Sequence, residues 1–442
     1  MFKHRNRQAL ALAFLLSTSS ASAEPLDILS SYKLALENDS DYQAGKAGAE
    51  AQQKAEVLNR SQLLPSVSAS LAYFDNSLRT STDTLSRSDK YPSSSSNLSL
   101  RQPLFRLPSY YGFLQGRAER RSGELLERKV DQDLVVRLAS IYLNVTNAKL
   151  TVNAIEQQLQ AAQGQNAAAR ASMLAGQGTR VEGDETKARM DLLQVQLVEA
   201  SEALSQARQR LSDMTGDQEI DAFTLDPAKI SLGPLGAWTL TEWVEVAQDA
   251  NFDLRRAAEA VKIAEREVDK AWSSRLPTAD LVAQRSVSSS DNIVNPGARY
   301  ENKQIGVVIS VPLYQGGYAG AKYKQTSAEL RRARAQYDAT KKQIALAVRA
   351  SFSGVVDGAE KVRALEQAEQ SAAQVLKSTQ MGVRAGTRSQ LDVLNAQQAY
   401  ANTILALNKE RVNYVIARLS LRALAGQLDA QALEEVNNWL KG

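Results

Sequence analysis

The chain has no cysteine. That excludes a disulfide framework, a thiolate metal site, a thiol nucleophile and a lipid anchor attached through cysteine. Its one histidine is His4, inside the N-terminal leader, so the rest of the chain lacks the commonest general base and metal ligand. With no clustered acidic motif either, the residues point away from an enzyme, and neither a cofactor nor a metal is expected. Aromatics make up only 6% and prolines number 10. No proline lies between Pro108 and Pro227, and none follows Pro312. Such spans permit helices far longer than the globular average of about 11 to 12 residues. After Glu24 no run approaches 18 uninterrupted apolar residues, so no helical membrane span is expected.

A dominant charge is missing too. The N-terminus carries Lys3, Arg5 and Arg7, an apolar run from Ala9 to Leu16, then Ala21-Ser22-Ala23. This is the layout of a secretory signal peptide cut before Glu24, and the run is too short for an uncleaved anchor. Setting those three cations aside leaves 50 of the 53 Lys and Arg against 49 Asp and Glu. No nucleic-acid footprint is expected from such a balance.

What is present is a pattern stated twice, about 210 residues apart. Leu64-Pro65 opens a strand, Gln102-Pro103-Leu104-Phe105 closes the next, and Gly178-Thr179-Arg180 splits a helical stretch. Leu276-Pro277, Val311-Pro312-Leu313-Tyr314 and Gly386-Thr387-Arg388 follow in the same order. The first repeat is expected over 24–216, with strands at 64–75 and 96–105 and a helical hairpin at 109–215. The second is expected over 238–426, with strands at 277–286 and 302–311 and a hairpin at 313–425. Residues 25–62 read as one or two helices, 238–275 repeat that role, 217–237 are a linker, and 427–442 form a short tail.

Leu134, Leu138, Ile141, Val145, Ala148, Val152, Ile155, Leu159 and Ala162 are spaced alternately four and three apart, a heptad seam. Val348, Phe352, Val355, Ala359, Val362, Leu365, Ala368, Ala372 and Leu376 give a less regular one. Helices from Ser109 to Met173 and from Tyr314 to Val383 would run roughly 98 Å and 105 Å. A bilayer core is only about 30 Å thick, so they must project beyond any membrane.

The strands alternate. Val67, Ala69, Leu71 and Tyr73 share one face, Leu98 and Leu100 another, and Ile305, Val307, Ile309 and Val311 a third. The opposite faces are small or polar, as in a transmembrane barrel, although a soluble hairpin would alternate in the same way. The Ser-, Thr- and Asp-rich stretches 76–95 and 286–301 read as outward-facing loops. Four strands leave two unpaired edges, which lipid cannot satisfy, and the smallest barrels need about eight. A membrane barrel therefore requires several chains.

With leader, strand pairs, long helices and tips in place, the chain resembles the TolC family of outer-membrane exit ducts over essentially its whole mature length. Ala385-Gly386-Thr387-Arg388-Ser389-Gln390-Leu391-Asp392 is similar to the family's glycine-threonine-arginine tip followed by an aspartate, and Val311-Pro312-Leu313-Tyr314-Gln315-Gly316-Gly317 is a second match. The resemblance implies a mostly α fold with a small membrane β part. It implies a homotrimer whose twelve-stranded β-barrel continues as a twelve-helix α-helical coiled-coil tube, set in outer-membrane lipid with the helices in the periplasm. It also implies passive export alongside a periplasmic adaptor and an inner-membrane ABC or proton-driven pump, serving type I protein secretion or small-molecule efflux. A coiled-coil surface protein would explain the heptads but not the matched strand pairs.

Residue by residue, the resemblance places Gly178, Thr179, Arg180, Gly386, Thr387 and Arg388 against the adaptor. It places Asp392 at the periplasmic constriction, with Asn395 where relatives carry a second aspartate, so a weaker ring of negative charge is expected. Arg388 and Asp184 match closure residues. Val383 and Gly183 stand where the family has a tyrosine and a threonine, which leaves an Arg388 to Asp184 pair as the expected lock.

Overall fold

The computed structural model describes residues 26–217, 221–233, 236, 238–291, 296–428 and 430–440. The leader and His4 lie outside the described residues. In chain order the elements are α1 (Ile28–Asn38), α2 (Ser40–Gln53), α3 (Ala55–Ser61), β1 (Ser66–Ser81), β2 (Ser86–Phe105), α4 (Leu107–Leu174) and α5 (Arg180–Thr215). The second repeat gives α6 (Leu240–Ala250), α7 (Phe252–Ser273), β3 (Thr278–Ser290), β4 (Ala298–Ser310), α8 (Tyr318–Arg384), α9 (Gln390–Leu424) and then α10 (Ala430–Asn438).

The four strands form one antiparallel sheet in the order β1-β2-β3-β4, so β1 and β4 each present an unpaired edge. The strands are much longer than the sequence implied. Only 82–85 separate β1 from β2, and β3 and β4 take in most of 286–301. Composition misled because Ser and Asn pair well across strands once no apolar face is needed. The Ser94 and Ser289 hydroxyls meet at 2.7 Å, and Asn76 Nδ2 donates to Ser93 Oγ at 2.8 Å. At about 3.3 Å per residue a strand of 16 residues exceeds the 9 to 11 a tilted membrane strand needs. In a membrane barrel the polar ends would stand clear of the lipid.

One face of the sheet is apolar and uncovered within the protomer, with Leu71 85% and Ile305 76% exposed. Val67 pairs with Leu100, Leu100 with Ala283, and Ala283 with Ile305, so these four make one row. Above that row the apolar band continues to Tyr73 on β1, yet below it the band reaches Ile309 on β4. This drift along the ladder is the signature of strands inclined to the membrane normal. At the base of the opposite face, Asp280 on β3 is only 3% exposed. It accepts hydrogen bonds from Arg101 of β2 at 2.5 Å and from Arg106, just before α4, at 2.7 Å. Such a clamp joins sheet to helix.

The two repeats leave the sheet differently. β2 ends at Phe105 and α4 starts at Leu107, with Pro108 in its first turn where the missing N–H costs nothing. After β4, residues 311–317 are not helical, and α8 begins only at Tyr318. The start expected at 313 is therefore early by several residues, because Gly316 and Gly317 adopt left-handed φ of 57° and 84°. Among the described residues no helix is long and apolar enough to cross a membrane.

Below the sheet, α4 packs on α5, α7 and α9, and α8 on α7 and α9. The first heptad seam forms the core: Leu134, Leu138, Val145, Val152 and Ile155 are buried, with Ile141 and Ala148 packed against them. In α8, Val348, Val355, Ala359 and Val362 of the seam are buried and Phe352 is half-buried, but Ala368 is exposed in the protomer. Around the middle, the linker is strapped to the helices. The fully buried Tyr142 donates its hydroxyl hydrogen to the Leu26 carbonyl at 2.8 Å and accepts from the Phe223 N–H at 2.9 Å. Tyr414 Oη lies 3.0 Å from the Ser231 carbonyl oxygen and accepts from the Gly233 N–H at 3.1 Å. The tail contributes Glu435, which accepts from Arg418 at 2.7 Å.

Candidate periplasmic constriction and hairpin tips

Both helical hairpins turn by the same backbone hydrogen bonds. In the first, the N–H groups of Gly176, Gln177 and Gly178 donate to the carbonyls of Met173, Ser172 and Ser172. In the second, Gly386, Thr387 and Arg388 donate to Val383, Gly382 and Gly382. The left-handed residue is Gly176 at φ 70° in one tip and Gly386 at φ 72° in the other. This corrects the pairing read from sequence by two positions: Gly178 corresponds to Arg388, and Thr179 to Ser389. The two Gly-Thr-Arg triplets look alike but occupy different places in the turn.

What Gly178 supplies is space. A Cβ there would stand 3.1 Å from the Ser172 Cβ. In the second tip the glycine sits across the same contact, at Gly382, where a Cβ would come 2.7 Å from the Arg388 Cγ. The Arg388 stem is thus laid over the last turn of α8, because Gly382 leaves room for it.

The returning helices start with capping boxes. Thr179 accepts from the Glu182 N–H, and Glu182 reaches back to the Thr179 N–H at 3.1 Å. Ser389 and Asp392 repeat this, with the Ser389 N–H and hydroxyl each 2.9 Å from Asp392 Oδ2. The bond from the Ser389 backbone, followed by that from its hydroxyl, holds the Asp392 carboxyl below the ordinary carboxylate range, and Arg388 adds to this. Asp392 is therefore a fixed anion at the start of α9, one turn before the exposed Asn395, while Val393, Leu394 and Ala396 are buried against the neighbouring helices. A three-residue spacing of Ser or Thr to an acid is visible in any sequence, and it was the signal overlooked here.

Asp184 and Arg388 are not joined within the protomer. Asp184 approaches Arg180 on its own helix at 3.8 Å, with both side chains exposed. Gly183 offers its carbonyl to Asn166 Nδ2 at 3.4 Å, and Asn166 also donates to Thr186 at 3.1 Å. Asn166 and Thr186 are both buried, and they fix α5 against α4. Higher up, Gln165 donates to Gln397 Oε1 at 2.9 Å, the one side-chain hydrogen bond between the two hairpins near this end among the described residues. Amides are common in polar helices, so periodicity gave no hint of these partners.

An open-edged sheet joined to two long hairpins, with capped turns at the far end, is matched by known proteins. The model of the outer membrane efflux protein family matches residues 31–217 and 243–427. The chain belongs to that family. The proteases secretion protein PrtF of Dickeya chrysanthemi is 30% identical over 98% of this chain and 96% of its own length. The alkaline protease secretion protein AprF of Pseudomonas aeruginosa is 31% identical, over 93% and 86%. The crystal structure of the Campylobacter jejuni CmeC outer membrane channel superposes with a TM-score of 0.76 at 15% identity, covering 100% of this chain and 98% of that one. The TolC-type resemblance seen in the residues therefore holds, and the protein is an outer-membrane transport duct.

Proposed function

We propose that three copies of this chain build one duct: a barrel of twelve strands in the outer membrane continued by twelve helices in the periplasm. The observation that carries this reading is the sheet with two free edges and an uncovered apolar face, since lipid tolerates no open edge. β4 of one protomer then pairs with β1 of the next. Similarity to PrtF and AprF along nearly the whole chain supports type I protein secretion as the task, with small-molecule efflux as the second reading, suggested by the family description.

In this reading the tips, with Gly178, Thr179, Arg180, Gly386, Thr387 and Arg388, meet a periplasmic adaptor, and an inner-membrane pump supplies the work. Three Asp392 carboxylates face the narrow end and favour cations. Asn395 adds no second ring. Closure rests on contacts between protomers, where Arg388 of one copy reaches Asp184 of another.

The test is deletion and complementation in the native cell. Loss of one or a few secreted proteins, with unchanged antibiotic sensitivity, is the expected result. Unchanged secretion with heightened drug sensitivity selects the efflux reading. A protein that migrates as a monomer in the outer-membrane fraction without heating, and conducts no ions in planar bilayers, refutes the duct.

A further inference from the structure

Beyond the apolar band, the sheet carries its charge unevenly. Alternation places Arg79, Lys90, Arg285, Arg299 and Lys303 on the same face as Val67, Leu100, Ala283 and Ile305, and all five are exposed. Within the strands Asp75 and Glu301 are the acids on that face, and Asp291, just past β3, donates its N–H to the Pro92 carbonyl at 3.3 Å. Over the same height the other face holds Arg87 and Asp89, amid Ser, Asn, Thr, Ala, Tyr, Phe and Leu. Charge placed only for solubility would be mixed in sign and spread over both faces. Here the surplus of cations stands outward, just above the lipid-facing band.

Two of these cations are organised. Glu301 accepts from Arg285 at 2.9 Å and lies 3.2 Å from the Lys303 ammonium. One carboxylate thus holds two cations side by side on neighbouring strands, and the group keeps a net positive charge. Arg presents a planar fork suited to phosphate oxygens, and Lys adds a point charge next to it.

We propose that this outward collar binds the phosphates of an anionic glycolipid in the outer leaflet, with Arg285 and Lys303 as its principal contact. The level is right: the cations begin in the first outward row above Ala283 and Ile305, where apolar chains give way to headgroups. The sign is right, and the opposite face lacks it. The proposal rests on the sheet being the membrane part of the duct.

The experiment titrates the purified oligomer in detergent with bisphosphorylated lipid A, and with the same lipid dephosphorylated, reading bound lipid by native mass spectrometry. Wild type is expected to prefer the phosphorylated lipid, more so at low salt. Arg285→Ser/Lys303→Ser should weaken binding about thirtyfold, the combined effect of two interfacial cations. Glu301→Gln, which releases both cations, should tighten it. Single-channel conductance of the same samples reports on the duct itself: a wild type that conducts but does not prefer the phosphorylated lipid overturns the collar alone, and one that does not conduct overturns the duct reading on which the collar rests. Equal binding of the two lipids by wild type, or unchanged binding in the double variant, overturns the proposal. If the double variant does not assemble, Glu301→Gln decides: tighter binding supports the collar and unchanged binding overturns it.

Discussion

Replacing Gly176 by Ala tests the corrected register of the hairpin tips. At φ 70° a Cβ crowds the carbonyl oxygen, a cost of about 1 to 2 kcal/mol in the left-handed region. No neighbour lies within 4 Å of that Cβ, so the whole effect is backbone strain. It acts on a turn held by three backbone bonds, from Gly176, Gln177 and Gly178 to Met173 and Ser172. Local opening should rise by about five- to thirtyfold, as 1.4 kcal/mol is a factor of ten. Hydrogen exchange of the amides of 176–178, followed by mass spectrometry, reads this directly. Gly178→Ala, which has no positive φ and needs only a few tenths of an ångström from Ser172 and Met173, should have the smaller effect. Ser172→Gly, which copies the Gly382 arrangement, should ease it further. If Gly178→Ala opens the tip more than Gly176→Ala does, the paired register is wrong and Gly178 is the turn residue after all.

Other consequences are open to measurement. Asp392→Asn keeps an acceptor for the Ser389 cap and removes the charge, so cation selectivity, measured as reversal potential in a salt gradient, should fall while hairpin exchange stays near wild type. Unchanged selectivity would leave Asp392 as a cap alone. Arg388→Ser, and separately Gln397→Ala, should loosen the closed end and raise single-channel conductance; equal conductance in both variants would count against closure through these contacts. At the waist, burial raises the Asp221 pKa, but bonds from Lys149 and Arg208 outweigh it and hold the carboxyl below 3.8. A lowered carboxylate pKa gives stability that is present above 3.8 and lost as pH falls through the folded-state value. Proteolysis of the linker should therefore rise on acidification below about pH 4, and Lys149→Met should reduce that dependence.

The features legible in the sequence were those with a strong local cause. The Leu134 to Ala162 seam is a regular apolar repeat, and the structure buries or half-buries every member. Alternation at Val67 to Tyr73 and Ile305 to Ile309 gave the sheet its two faces. The outer ends of the strands were missed because Ser-rich segments carry no alternation to read, and their pairing depends on a partner strand. The junction before α8 was misplaced because, after Pro312, Leu313 to Gln315 holds no breaker until the two left-handed glycines. At the tips, matching Gly-Thr-Arg triplets suggested equivalence, yet the turn is aligned by which residue takes positive φ.

By itself the sequence determined the class of object: duplicated, rich in long helix, without thiol or imidazole chemistry in its main body, and bearing strands too few to close. Those properties depend on composition, period and count, which need no third dimension. The tertiary structure decided which residues act together. It set Asp392 on Ser389 as a cap, laid Arg388 over Gly382, tied Gln165 to Gln397, and put five cations on the outward face of the sheet. Each of these is a meeting of side chains across a turn, a helix pair or a strand ladder, and only the folded backbone brings such positions within a few ångströms.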